Sequence, residues 1–264
     1  MERRVFLQGA ALGVLTLAAA LPAPARPGLS VAGALNLSGR QRMLAQRLAK
    51  AWVMRGLNVL PARADAILDA SLTQQQAQLA ELKDFVPNDD VRAALVPLER
   101  DWAAYRAAVA APSRRDRAQP VYDLSEQVQE RAHRLTLAYE KASRAPAGER
   151  LINIAGRQRM LSQRIAKFYL FRAWGVNSVA AQMELNFARA EFSSGMHQLA
   201  NAASGVPALR ALLDEIDGAW IVYRRQLEAP GDGAAQVVEH SERLLAQTER
   251  LVLLFEERAE RNAA

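Results

Sequence analysis

Arg42 and Arg47 stand five residues apart in the stretch NLSGRQRMLAQRLAK, residues 36–50. Nearly the same letters return as NIAGRQRMLSQRIAK at residues 153–167, with eleven of fifteen positions identical and an offset of 117. A guanidinium is permanently charged and presents a planar fork of donors, so the chemistry open to these arginines and their copies Arg159 and Arg164 is recognition of a carboxylate or a small oxyanion. Asn36, Gln46, Asn153 and Gln163 add amide donors and acceptors to the same stretches.

On a helix turning 100° per residue, Gly39, Arg42, Gln46 and Ala49 form one stripe flanked by Asn36, Met43 and Arg47. Leu37, Leu44, Leu48, Ala51 and Trp52 lie nearly opposite and make the expected core face. The second copy repeats the stripe as Gly156, Arg159, Gln163 and Ala166, flanked by Asn153, Met160 and Arg164. A mid-helix glycine costs about 1 kcal/mol relative to alanine and makes sense where another backbone approaches closely. The same face of the other copy is the obvious neighbour. Two helices crossing near Gly39 and Gly156 bring Arg42 and Arg159 together, and an anion between them relieves their repulsion. The expected ligand-binding set is therefore Arg42, Arg159, Gly39, Gly156, Arg47, Arg164, Asn36, Asn153, Gln46 and Gln163. The competing reading makes these side chains a structural polar network with acidic groups of neighbouring helices.

The elements that carry the stripes follow from the punctuation. The duplication continues downstream: Ser125-Glu126 is matched by Ser241-Glu242, Tyr139-Glu140 by Phe255-Glu256, and Trp102 and Tyr105 by Trp220 and Tyr223. Pro61, Pro87-Asn88 and Pro112 divide the first copy. Gly175 to Asn177, Gly205 to Pro207 and Pro230 to Gly233 divide the second, and Ala145 to Gly148 separates the copies. The pieces between are too long for strands and lack period-two alternation. The expected fold is all-α: two tandem up-down-up-down four-helix bundle modules, residues 26–145 and 146–264, after a signal peptide at 1–25. Trp102, Tyr105, Trp220 and Tyr223 are read as core rather than as a ligand cage.

Composition narrows the chemistry. The absence of cysteine excludes disulfides, thiolate zinc, iron–sulfur clusters and covalent haem. His133, His197 and His240 are scattered without metal-ligand spacing, so no metal and no cofactor are expected. No Ser/His/Asp set, P-loop or dinucleotide turn is present, so no enzymatic activity is expected. The net charge of +6 is dispersed and lacks interleaved aromatics, so nucleic acid is not an expected partner, whereas a small anion or an acidic protein surface is.

The N-terminus is basic at Arg3-Arg4, apolar from Val5 to Leu21, and small around Ala23 and Ala25. This reads as an export signal, with Arg3-Arg4-Val5-Phe6-Leu7 in the twin-arginine pattern and a Sec signal as the alternative. The expected location is the periplasm, with an uncleaved anchor less favoured. No transmembrane span is expected after cleavage.

The repeated words resemble the first-helix signature of the NarX/PilJ-type periplasmic sensor domain, the N-terminal domain family of type IV pili methyl-accepting chemotaxis transducers. Its Asn, Gly, Arg-Met and second Arg fall here on Asn36, Gly39, Arg42-Met43 and Arg47, and again on Asn153, Gly156, Arg159-Met160 and Arg164. The resemblance implies a four-helix bundle, a sensory role, and nitrate or nitrite held across a helix interface by Arg42 and Arg159. The wording between Gly and Arg-Met is closer to the PilJ branch than to the nitrate sensors. Two functions remain open: an oxyanion-binding protein that reports to a periplasmic or membrane partner, and a helical module that docks a membrane receptor, pilus component or exported redox enzyme without a small ligand.

Overall fold

The computed structural model describes residues 28–143, 146–203, 205–229 and 233–263, all but short connections in helices. The proposed signal, residues 1–25, lies outside the described residues, as do parts of the breakers at 144–145 and 230–232. Among the described residues eight α-helices run in order: α1 Val31–Gly56, α2 Pro61–Asp84, α3 Asp89–Ala110, α4 Ala118–Ala142, α5 Pro146–Ala173, α6 Ser178–Ala202, α7 Pro207–Glu228 and α8 Ala234–Ala263. A 3-10 turn, Arg115–Arg117, precedes α4. The chain is all-α, and among the described residues there is no strand.

The ends follow local chemistry. Ser30 Oγ accepts a hydrogen bond from Gly33 N at 3.0 Å, and Asn88 Oδ1 accepts one from Val91 N at 2.9 Å. Each satisfies an amide that the first helical turn leaves orphaned. Pro61 and Pro207 sit in first turns, where their missing N–H costs nothing. The α1–α2 turn carries positive φ at Asn58 (55°) and Leu60 (47°), and the α5–α6 turn repeats this at Gly175 (70°) and Asn177 (49°). One turn geometry thus survives in both copies with different residues.

The order within each copy is up-down-up-down. At one end of the first copy Trp52 Nε1 donates to Ala111 O at 3.0 Å; at the other, Tyr139 Oη donates to Phe85 O at 2.7 Å. Trp102 and Tyr105 are fully buried, and Tyr105 Oη donates to Ala45 O at 2.7 Å. Tyr223 Oη makes the corresponding bond to Ser162 O at 3.4 Å. These aromatics hold the third helix of each copy against the motif helix, which is a core role.

The two copies share their central helices. α1 packs on α2 and α4 within its own copy, α5 packs on α6 and α8, and α1 and α5 lie side by side. They run parallel: Asn36 meets Arg159 near one end, and the Trp52 and Trp174 rings meet at the other with centroids 5.7 Å apart. Gly56 permits this closure, because a Cβ there would collide with the Trp174 ring. Both the apolar side and the motif stripe of α1 are buried, the first in its own bundle and the second against the other copy. Among the described residues no helix is long and apolar enough to cross a membrane.

Candidate functional site

The motif stripes meet where α1 and α5 pass. A Cβ built on Gly39 would lie 3.1 Å from Arg42 Nη2 and 3.6 Å from Arg159 Nη2. One on Gly156 would lie 3.4 Å from Arg42 Nη2 and 3.8 Å from Arg159 Nη2. The room left by the two glycines is therefore filled by two guanidiniums, both fully buried. Bringing two like charges into a dry helix interface is costly unless each finds a counter-charge.

The two arginines solve this differently. Arg159 Nη1 donates to Asn36 Oδ1 at 2.9 Å and to Glu249 Oε2 at 2.9 Å, and its Nη2 donates to Asn36 O at 3.0 Å. Arg42 has no carboxylate within ion-pair distance among the described residues. Its Nη1 lies 3.4 Å from His133 Nδ1, and its Nη2 donates to Asn153 O at 3.4 Å. Both contacts are at the long limit of hydrogen bonding. Burial first, then the positive charges of Arg157 and Arg159, push the Arg42 guanidinium down to about 9 against the weaker attraction of Glu140, which lies beyond ion-pair distance. Burial also lowers Arg159, against the attraction of Glu249. The buried asparagine Asn36 donates to Glu256 at 2.6 Å, and Asn153 donates to Glu140 at 2.6 Å, so this part of the pattern is symmetric.

Further along the same interface lies a second ionic layer. Lys50 Nζ, fully buried, donates to Gln163 Oε1 at 2.6 Å, Ser241 Oγ at 3.0 Å and Glu242 Oε1 at 2.6 Å. Arg47 holds the same carboxylate through Nε at 3.2 Å and Nη2 at 2.6 Å. In the other half Lys167 Nζ donates to Ser125 Oγ at 3.0 Å and Glu126 Oε1 at 2.5 Å, while Arg164 Nη2 pairs with Glu126 at 2.6 Å and Glu184 at 2.7 Å. Gln46 Nε2 donates to Glu126 Oε1 at 3.1 Å, and Gln163 Nε2 donates to Ser241 O at 2.9 Å. Each copy's last helix thus supplies the carboxylate for the other copy's first helix.

The electrostatics of this layer follow from the ratio of charges. Burial lowers Lys50 and Lys167 to about 8, because each has one carboxylate and must share it with an arginine. Burial raises Glu242, but Lys50 and Arg47 together override it and hold the carboxyl at about 2. Glu126 is lowered in the same way by Lys167 and Arg164.

Of the ten residues singled out from the sequence, the structure gathers Arg42, Arg159, Gly39, Gly156, Asn36 and Asn153 at one point. Arg47, Arg164, Gln46 and Gln163 stand in the second layer, where they pair with Glu242 and Glu126 or with Ser241. Sequence reasoning passed over Lys50, Lys167, Glu126, Glu242, His133 and Glu249. The matched Ser-Glu pairs at 125–126 and 241–242 were the available signal, since a polar pair repeated at equivalent places in the two copies points to a repeated partner. Among the described residues no group of three His, Cys, Asp or Glu side chains is placed to hold a metal ion.

A family model described as type IV pili methyl-accepting chemotaxis transducer N-term (PilJ) matches the chain twice, over residues 28–127 and 142–232. No curated protein and no solved structure matches it.

Proposed function

The chain belongs to the PilJ family of type IV pili methyl-accepting chemotaxis transducer N-terminal domains, sensory helical modules carried here in two copies, and from that premise we propose that it binds a small oxyanion between its two motif helices. The observation that carries this reading is Arg42: a fully buried guanidinium beside a second one, with no carboxylate of its own among the described residues. Nitrate and nitrite are the leading ligands, and a periplasmic or membrane protein is the expected recipient of the signal.

Differential scanning fluorimetry tests this directly. Millimolar sodium nitrate or nitrite is expected to raise Tm by several degrees relative to equal sodium chloride. A ligand specific for the native state stabilises it by about 2.7 kcal/mol at one hundred times its Kd. The second reading, a docking module without a small ligand, is favoured by Val179, Met183 and Phe187, which stand four residues apart on α6 and are 55–78% exposed. The corresponding positions of α2 are Ala62, Ala66 and Ala70. Equal melting in nitrate, nitrite and chloride would transfer the function to that surface.

The reading places the protein outside the cytoplasm, on the strength of Arg3-Arg4 and the apolar run that follows. N-terminal sequencing of the mature protein is expected to begin at or near Arg26, and Arg3-Arg4→Lys-Lys is expected to block export. A mature chain that retains Met1 in the cytoplasm overturns this.

A further inference from the structure

Glu249 and His133 are equivalent positions. The matched pairs Glu126/Glu242 and Glu140/Glu256 set an offset of 116 for the last helix of each copy, and that offset carries His133 onto Glu249. The duplication therefore placed a carboxylate beside Arg159 and an imidazole beside Arg42. We propose that the oxyanion site is one-sided: Arg42 and His133 hold a planar monovalent oxyanion, and Glu249 is a built-in occupant of the matching place at Arg159. This deepens the function proposed above and rests on it.

Three observations converge. Glu249 sits on Arg159 at 2.9 Å and on Arg40 at 2.5 Å, so the chain itself supplies that half with a carboxylate. Arg40 has Arg157 as its counterpart, and Arg157 turns instead to Glu191 on α6 at 2.6 Å, leaving Arg42 without a shared carboxylate. His133 touches Arg42 and also lines a surface groove of about 400 Å³ together with Arg157, Arg164 and Phe187. A small anion entering by that groove meets His133 first and the buried guanidinium next.

Glu249 also indicates the ligand class. Its Oε2 alone accepts from both Arg159 Nη1 and Arg40 Nη2, so the place beside Arg159 takes a flat, singly charged group that presents an oxygen to the guanidinium, a form shared by nitrite, nitrate and a short free carboxylate. Tetrahedral dianions are disfavoured, because Glu130, Glu184 and Glu191 line the same groove. The groups facing His133 are Arg42 from α1, Arg157 from α5, Glu130 from its own helix and Glu191 from α6. Burial, then Arg42 and Arg157, lower the imidazole from its ordinary 6.5, and the two glutamates oppose them. A bound anion favours the imidazolium, so binding takes up a proton and affinity rises as pH falls through the histidine range.

Isothermal titration calorimetry of the full chain, with sodium nitrate, nitrite and formate against sulfate and chloride, tests the proposal. The expected stoichiometry is one anion per chain, with an affinity that grows up to tenfold per pH unit below neutrality. His133→Glu gives Arg42 the carboxylate that Arg159 already has, and is expected to weaken binding at least tenfold while raising Tm. His133→Gln is expected to retain a folded protein and flatten the pH dependence. Glu249→Gln is expected to open a second site and raise the stoichiometry toward two. Wild-type binding that is unchanged in folded His133→Glu, or unchanged in pH profile in His133→Gln, overturns the one-sided site alone. No binding of any planar anion to the wild type overturns the proposed function with it. Nitrate and nitrite binding without formate binding identifies inorganic oxyanions as the source; formate binding identifies carboxylates.

Discussion

Glu242→Gln is expected to destabilise the fold by about 3–5 kcal/mol, the range for removing one partner of a buried ion pair. The substitution leaves Lys50, fully buried, with a neutral amide, Ser241 Oγ and Gln163 Oε1 as its only company, and leaves Arg47 with Ser71 Oγ. Because Glu242 is on α8 and Lys50 on α1, the loss falls on the contact between copies and not only on one bundle. Urea denaturation at pH 7 measures it, and a loss below about 1 kcal/mol would show that the pair does not hold the copies together. Replacing both partners, Lys50→Met with Glu242→Leu, is expected to recover most of the loss, since apolar substitutes avoid the desolvation cost. The same carboxylate sets an acid limit. Its folded value of about 2 lies below its ordinary 4.5, so its contribution is complete above about 4.5 and is lost as pH falls toward 2. The wild type is expected to lose stability across that window, and Glu242→Gln to lose less.

Arg159→Met and Arg42→Met are expected to act in opposite directions in the absence of ligand. Removing Arg159 takes donors from Asn36 Oδ1, Asn36 O and Glu249, a loss of about 3–5 kcal/mol with Arg40 left to hold the carboxylate. Removing Arg42 deletes a buried charge that has only two contacts at 3.4 Å, and is expected to be neutral or stabilising by about 1–3 kcal/mol. With saturating nitrate the order changes for Arg42, because the wild type gains ligand stabilisation that Arg42→Met cannot. Thermal and urea unfolding of both variants, with and without nitrate, decide the matter. Equal losses for the two arginines would mean that Arg42 has a counter-charge equivalent to Glu249. The repeated motif alone treats them as interchangeable and expects relief of repulsion from either change; the Glu249 contact reverses that expectation for Arg159.

Much of the architecture was legible because it is local. Helix length and the breakers at Pro61 and Gly175 depend on residues within a turn or two of one another. The duplication needed only a comparison of the chain with itself. The close approach of α1 and α5 was also readable, since Gly39 and Gly156 sit in mid-helix where only a near neighbour repays the missing side chain. The core role of Trp102 and Tyr105 followed from their spacing on an amphipathic helix.

The ionic partners were not legible, and the reason is geometric. Periodicity says which face a residue occupies, whereas an ion pair depends on which helix comes to lie against that face. Glu242 lies nearly two hundred residues from Arg47 and Lys50, and the pairing exists only because α8 of one copy packs beside α1 of the other. The sequence reading brought the two motif helices together but had no means of choosing which carboxylates of the neighbouring helices reach Arg47 and Arg164. The replacement of Glu249 by His133 in the first copy was visible as letters, but carried no meaning until both positions stood beside a buried guanidinium. The helices and the buried stripe could be read from the chain because they arise from interactions a few residues apart, and the repeat because one stretch of letters returns 117 positions later. Which arginine holds a carboxylate and which is left short of charge came from the packing of the helices, because burial and counter-charge are properties of neighbours that the chain brings together from distant positions.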